Sequence, residues 1–205
     1  MQSKIVPNVA PETVIGVRIP ELRRFAKELK NDPSTVLFLS RLPHAYYDEN
    51  VLHALIINEE RDHDLLMEKL RAFLPFVDNW AVCDTIKPKI AKTRREEFLE
   101  SLKLWLVSER PYEVRFAIGM LMSHFLDDEH VNEALELVNG VKSGEYYVQM
   151  MQAWFFATAL AKQYEAAIPY LERGLEDPFV MAKTKSKCSD SFRISSDKKS
   201  YIKSL

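Results

Sequence analysis

The stretch PYEVRFAIGMLMSHF, residues 111–125, decides the fold. Pro111 suits the first turn of a helix, where its missing N–H would go unpaired anyway. Behind it Val114, Ala117, Ile118, Leu121 and Phe125 recur at three- and four-residue steps, so one face of a helix is apolar. The same pattern extends in both directions. Upstream, Leu22, Phe25, Ala26 and Leu29 follow Pro20, and a stripe from Val36 to Leu42 stops at Pro43. Val51, Leu52, Leu55 and Ile56 follow Asp48, which reads as a helix cap. Leu65 to Leu74 begins near Asp62 and stops at Pro75, and Asp78 or Asn79 caps a short helix toward Ile86. Thr93 opens a stretch through Trp105. Downstream, Val131 to Val138 halts at Gly140, a long helix spans about Glu145 to Gln163, and Ala166 to Leu171 ends near Gly174. A less regular final helix starts near Phe179.

No segment alternates with period two between turn dipeptides, so no strand is required. The expected fold is all-α: a single domain over residues 1–205, extended over 1–15, built as a solenoid of antiparallel helix pairs. The pairs repeat at roughly 35–40 residues, the size of a HEAT-type unit, and such solenoids present a concave face.

Composition narrows the class. The chain has 205 residues, 47% of them hydrophobic, with 28 Lys and Arg against 30 Asp and Glu. That is neither the charge imbalance nor the low hydrophobicity of a disordered chain. Five glycines leave little for phosphate-cradling loops, and two cysteines, Cys83 and Cys188, make no disulfide scaffold. No signal peptide and no membrane-length apolar run stands out, so a soluble cytoplasmic protein is expected; separately, it is read as a monomer. The net charge of −2 hides an asymmetry: residues 183–205 carry +5 and the remainder −7. A basic end on an acidic body suggests either a local polyanion contact or a solvated terminal helix.

Chemistry-bearing residues are few. The histidines are scattered without a metal-binding spacing, so neither metal nor cofactor is expected. Trp80 and Asp84, in NWAVCD, stand at i and i+4 and share a helix face. Arg115 lies near the start of its helix, where a cation opposes the dipole. Trp154 sits mid-helix in VQMMQAWFFA. These residues read either as a site or as ordinary structure, with the tryptophans in the core and Arg115 paired to Asp84.

NWAVCD resembles a signature of the AlkD-like DNA alkylation-repair glycosylases, which are HEAT-like repeat proteins. Three further segments agree in order: GVRIPELR (16–23), RFAIGMLMSHF (115–125) and YYVQMMQAW (146–154). The similarity runs over about residues 14–205. It implies double-stranded DNA as partner, with Trp80, Asp84 and Trp154 catalytic and Arg115 gripping a phosphate. A purine alkylated at N3 or N7 is already cationic and leaves without a general acid. Asp84 would then stabilise the oxocarbenium-like sugar and orient water, while the tryptophans hold the deoxyribose. Lys89, Lys92, Arg94, Arg95, Lys183, Lys185, Lys187 and Arg193 would be further phosphate contacts.

Departures from the pattern qualify this reading. Fifteen residues precede Gly16, as in a branch of the family with a short N-terminus. Ala81 replaces a commonly acidic residue, and Phe155 and Phe156 replace Ala and Leu. The expectation is DNA binding with weak or absent excision. The alternatives are an active glycosylase and a protein–protein scaffold.

Overall fold

The computed structural model describes residue 6 and residues 8–29, 32–90 and 92–205. Among them are twelve α-helices and no strand. These are α1 (Ile19–Leu29), α2 (Ser34–Ser40), α3 (Tyr47–Ile57), α4 (His63–Phe73), α5 (Trp80–Thr85) and α6 (Arg95–Leu106). They continue with α7 (Pro111–His124), α8 (Val131–Asn139), α9 (Tyr146–Lys162), α10 (Tyr164–Glu172), α11 (Pro178–Asp190) and α12 (Ser196–Ser204). The all-α expectation holds. The chain divides into two compact units, Met1–Phe98 and Leu99–Leu205, with the boundary inside α6.

Within each unit alternate helices lie side by side. In the first, α3 packs on α1 and α5; in the second, α9 packs on α7 and α11, while α8 meets α10 behind them. This i, i+2 stacking in rows is how helix pairs build a solenoid, because each helix buries one flank on the previous pair and the other on the next. The central α9 is accordingly apolar on nearly every side, with Val148, Met151, Phe155, Phe156 and Leu160 buried. Its one buried amide, Gln152, donates Nε2 to the carbonyls of Val138 (3.1 Å) and Val141 (3.0 Å), so burial leaves that donor satisfied.

Helix ends follow local chemistry. Pro111 is the first residue of α7, and Asp62 caps α4 by accepting from Leu65 N. Gly140 terminates α8, and Gly174, at φ 81°, follows α10 in the left-handed region.

Two expectations change. Asp48 does not cap α3. Glu49 reaches back to the Tyr46 N–H at 2.9 Å and occupies the cap. Asp48 is buried at 3% exposure in the first turn, and its carboxylate accepts from Ile15 N (2.7 Å), Gly16 N (3.2 Å) and Val17 N (2.7 Å). The irregular terminal helix is two helices, because Asp177 caps α11 through Phe179 N (2.8 Å) and the serine-rich 191–195 stretch separates α11 from α12.

Candidate functional site

In the first unit the NWAVCD segment makes a short, well-anchored helix. Buried Asn79 is the cap of α5: its Oδ1 accepts from Val82 N at 3.0 Å, and its Nδ2 donates to Asp78 Oδ1 at 2.8 Å. Val82 and Cys83 face the core. The other side of the helix carries Trp80, half-buried at the first helical position, and Asp84 one turn later. A shared face for Trp80 and Asp84 is therefore what the backbone provides.

Asp84 lines an open cleft of about 370 Å³ bounded by α1, the end of α3 and residues 84–89. Four cations line it, Arg23, Lys27, Lys87 and Lys89, against the carboxylates of Asp84 and Glu59. Asn58 forms its corner. The Asn58 Nδ2 donates to Thr85 O (2.7 Å) and Oδ1 accepts from Lys87 N (2.6 Å), so the turn that carries Lys87 is held to α3. Of the expected residues the cleft takes in Asp84 and Lys89. Arg23, Lys27, Lys87 and Asn58 were not expected. Arg23 closes the GVRIPELR segment, and its i, i+4 spacing to Lys27 is the one signal the sequence offered for that pair.

Arg94, another expected cation of this unit, is occupied locally. Arg94 bridges Asp64 (2.9 Å) and Glu97 (2.6 Å), and these acids hold its guanidinium charged. Arg95 opens α6 half-buried. The side chain of Lys92 lies outside the described residues.

In the second unit Arg115 is 5% exposed on α7 and donates Nη1 to Tyr147 O at 2.6 Å. A charge-assisted bond of this kind is worth about 1.5–3 kcal/mol and ties α7 to the start of α9. Trp154 is the exception on buried α9, 41% exposed, and Lys187 of α11 places Nζ 6.0 Å from its ring. One turn earlier on α11, Lys183 sits 5.3 Å from the Phe179 ring, which in turn neighbours Tyr146 at 6.0 Å. The α9 and α11 surface is thus an alternation of aromatic rings and ammonium groups. Lys185 is half-buried on the same helix, and Arg193 is exposed in the following turn. Neither Trp80 nor Trp154 is a fully buried core aromatic. Phe155 and Phe156 are fully buried, so that departure falls on the core and not on the Trp154 face.

Both cysteines are buried, and burial pushes the Cys188 thiol up to about 11, away from nucleophilic use. Among the described residues no group of three His, Cys, Asp or Glu is placed to hold a metal ion, and no helix is long and apolar enough to cross a membrane.

Stacked helical rows, a cation-lined cleft around one aspartate and an aromatic–basic strip define an all-helical protein with surfaces suited to a polyanion. The family of DNA alkylation repair enzymes matches residues 6–189, and the chain belongs to that family. No curated protein and no solved structure matches it significantly.

Proposed function

We propose that this protein binds double-stranded DNA, as a monomer, on the scaffold of the alkylation-repair family and excises bases weakly or not at all. The basic cleft at Asp84 carries the reading. Its cations outnumber its acids in a chain that is negative overall, so phosphates are drawn to this place. The exposed Trp154 with Lys187 beside it supplies a flat ring next to a cation, which suits a sugar and its phosphate. Lys183, Lys185 and Arg193 add phosphate contacts to those of the cleft cations, Lys89 among them. Arg115, 5% exposed and bonded to Tyr147 O, serves this reading by holding α7 to the start of α9, the helix that carries Trp154. The negative total charge and Ala81 support little excision.

A second reading is favoured by the accessibility of Asp84 within one turn of Trp80. Here Asp84 stabilises the sugar cation and directs water as a cationic N3- or N7-alkylpurine departs. Asp84 needs no proton to give, because the base leaves neutral.

Fluorescence anisotropy with a labelled duplex tests the first reading. Four cleft contacts at a log–log slope near −0.9 each weaken binding roughly 100-fold between 50 and 200 mM salt. The double variant Lys27→Glu, Lys87→Glu removes two of those four contacts and with them about half of that dependence. Binding that is absent, or indifferent to salt and to both substitutions, overturns the proposal. Release of N7-methylguanine from methylated duplex at enzyme excess, lost in Asp84→Asn, replaces weak excision with the second reading.

A further inference from the structure

A groove of about 760 Å³ in the second unit plays no part in the proposed DNA function. It runs between the end of α6, the start of α7, α8 and residues 140–145. Its floor is apolar, formed by Leu106, Val114, Leu137 and Val141, with Val107 standing 81% exposed at its edge. One turn back on α6, Leu104 is also largely exposed. A single exposed aliphatic needs no explanation, but one bordering an apolar floor, as Val107 does, makes the contiguous kind of patch that marks an interaction surface.

The rim decides what fits. Glu109, Glu133, Glu136 and Glu145 line the groove together with Lys103 and Lys142. Both lysines are already neutralised: Lys103 lies 2.7 Å from both Glu100 and Glu133, and Lys142 pairs with Glu176 at 3.5 Å. Glu109, Glu136 and Glu145 make no ion pair among the described residues. The groove therefore carries three uncompensated negative charges around an apolar floor. A nucleic acid is repelled by such a rim, and a neutral small molecule leaves the carboxylates unanswered. A basic amphipathic helix answers both, placing an i, i+3/i+4, i+7 apolar stripe on the floor and Lys or Arg against the glutamates.

We propose that this groove docks a basic, amphipathic helical segment of another protein. The volume accommodates several large side chains, as recognition pockets do. The contacts are the five apolar residues of the floor and edge and the three unpaired glutamates.

The probe is a fluorescein-labelled peptide of about 14 residues with leucines in that stripe and lysines flanking it. Controls replace its lysines by glutamate or its leucines by serine. Anisotropy against the full chain is expected to show saturable binding of the basic peptide alone. Glu136→Lys and Val107→Asp each weaken it about tenfold, the loss of one charge-assisted or apolar contact. Both sites are on the surface or its edge, and circular dichroism checks that each variant folds. Amide shifts in an ¹H–¹⁵N spectrum should cluster at residues 106–114 and 136–145. No binding, equal binding of the glutamate peptide, or shifts elsewhere overturn the proposal. A dimer that forms through the same residues as protein concentration rises overturns the peptide assignment in favour of a second copy.

Discussion

Replacing Asp48 by alanine should loosen the segment that leads into α1. The consecutive N–H groups of Ile15, Gly16 and Val17 converge on its carboxylate, with Gly16 at φ 89° turning the backbone so that all three point inward. Successive amides arranged this way form an anion-binding concavity, and here a side chain fills it. Two of the bonds are 2.7 Å, and each charge-assisted bond is worth about 1.5–3 kcal/mol in a dry site. Ile15 and Gly16 are exposed, so water recovers part of the loss. A net cost of about 3 kcal/mol follows for Asp48→Ala, and about half that for Asp48→Asn, which keeps one acceptor oxygen. Urea denaturation measures the cost. Hydrogen exchange over residues 14–29 locates it, and protection should fall there first. Because α1 carries Arg23 and Lys27 to the cleft, duplex affinity should fall with it. A cost below about 0.5 kcal/mol, or destabilisation without lost protection over that segment, refutes the reasoning.

Two further predictions rest on buried polar groups. His53 is 1% exposed, stacked 3.9 Å from Phe73 and hydrogen-bonded to His44 at 2.8 Å. Burial first, then His44 and Lys69, holds its imidazole down to about 3. The folded chain keeps it neutral while the unfolded chain protonates it below about 6.5, so stability is complete above that value and falls with pH. Urea midpoints should show a loss of roughly 1.4 kcal/mol per unit between pH 6 and 4, and His53→Phe should flatten the slope by one proton; an unchanged slope rejects it. Asn79→Ala removes the cap of α5 and should cost about 1 kcal/mol, with faster exchange over residues 80–85; Asn79→Ser should restore most of it. Identical melting of Asn79→Ala and wild type is the contrary result.

Helix positions were readable because their determinants are local. Pro111, Asp62, Asn79 and Gly140 act within one turn, and α9 declares itself by seventeen residues of nearly unbroken apolar character. Asp48 was misread for the same reason: it is a good cap type one turn from an apolar stripe, yet Glu49 holds the cap and Asp48 bonds some thirty residues away. Trp80, Asp84, Arg115 and Trp154 stood out as residue types and motifs. The cleft cations did not, because Arg23 and Lys27 belong to α1 and Lys87 to the turn after α5. Nothing in either local stretch says they share a wall. Asn58, which sets that wall by two backbone bonds, is silent in sequence altogether.

The two faces of α1 show why the averaged charge of −2 misleads. Arg24 and Glu28 stand at i and i+4, paired at 3.7 Å, so those two charges offset each other. Arg23 and Lys27 stand at the same spacing on the face that lines the cleft, where like charges cost a helix about 0.2–0.5 kcal/mol. The one helix thus carries a matched pair toward solvent and a mismatched pair toward the cleft. Across the cleft Lys87 and Lys89 add to the mismatch, and Asp84 and Glu59 only partly offset it. A bound phosphate attracts each of these cations and so offsets their mutual repulsion. The cleft is therefore least favourable when empty and gains most from an anion, whereas the glutamate-rimmed groove of the second unit gains from a cation. Opposite charges collected on separate surfaces, rather than a weak overall charge, are what would let the chain tell an anionic ligand from a cationic one.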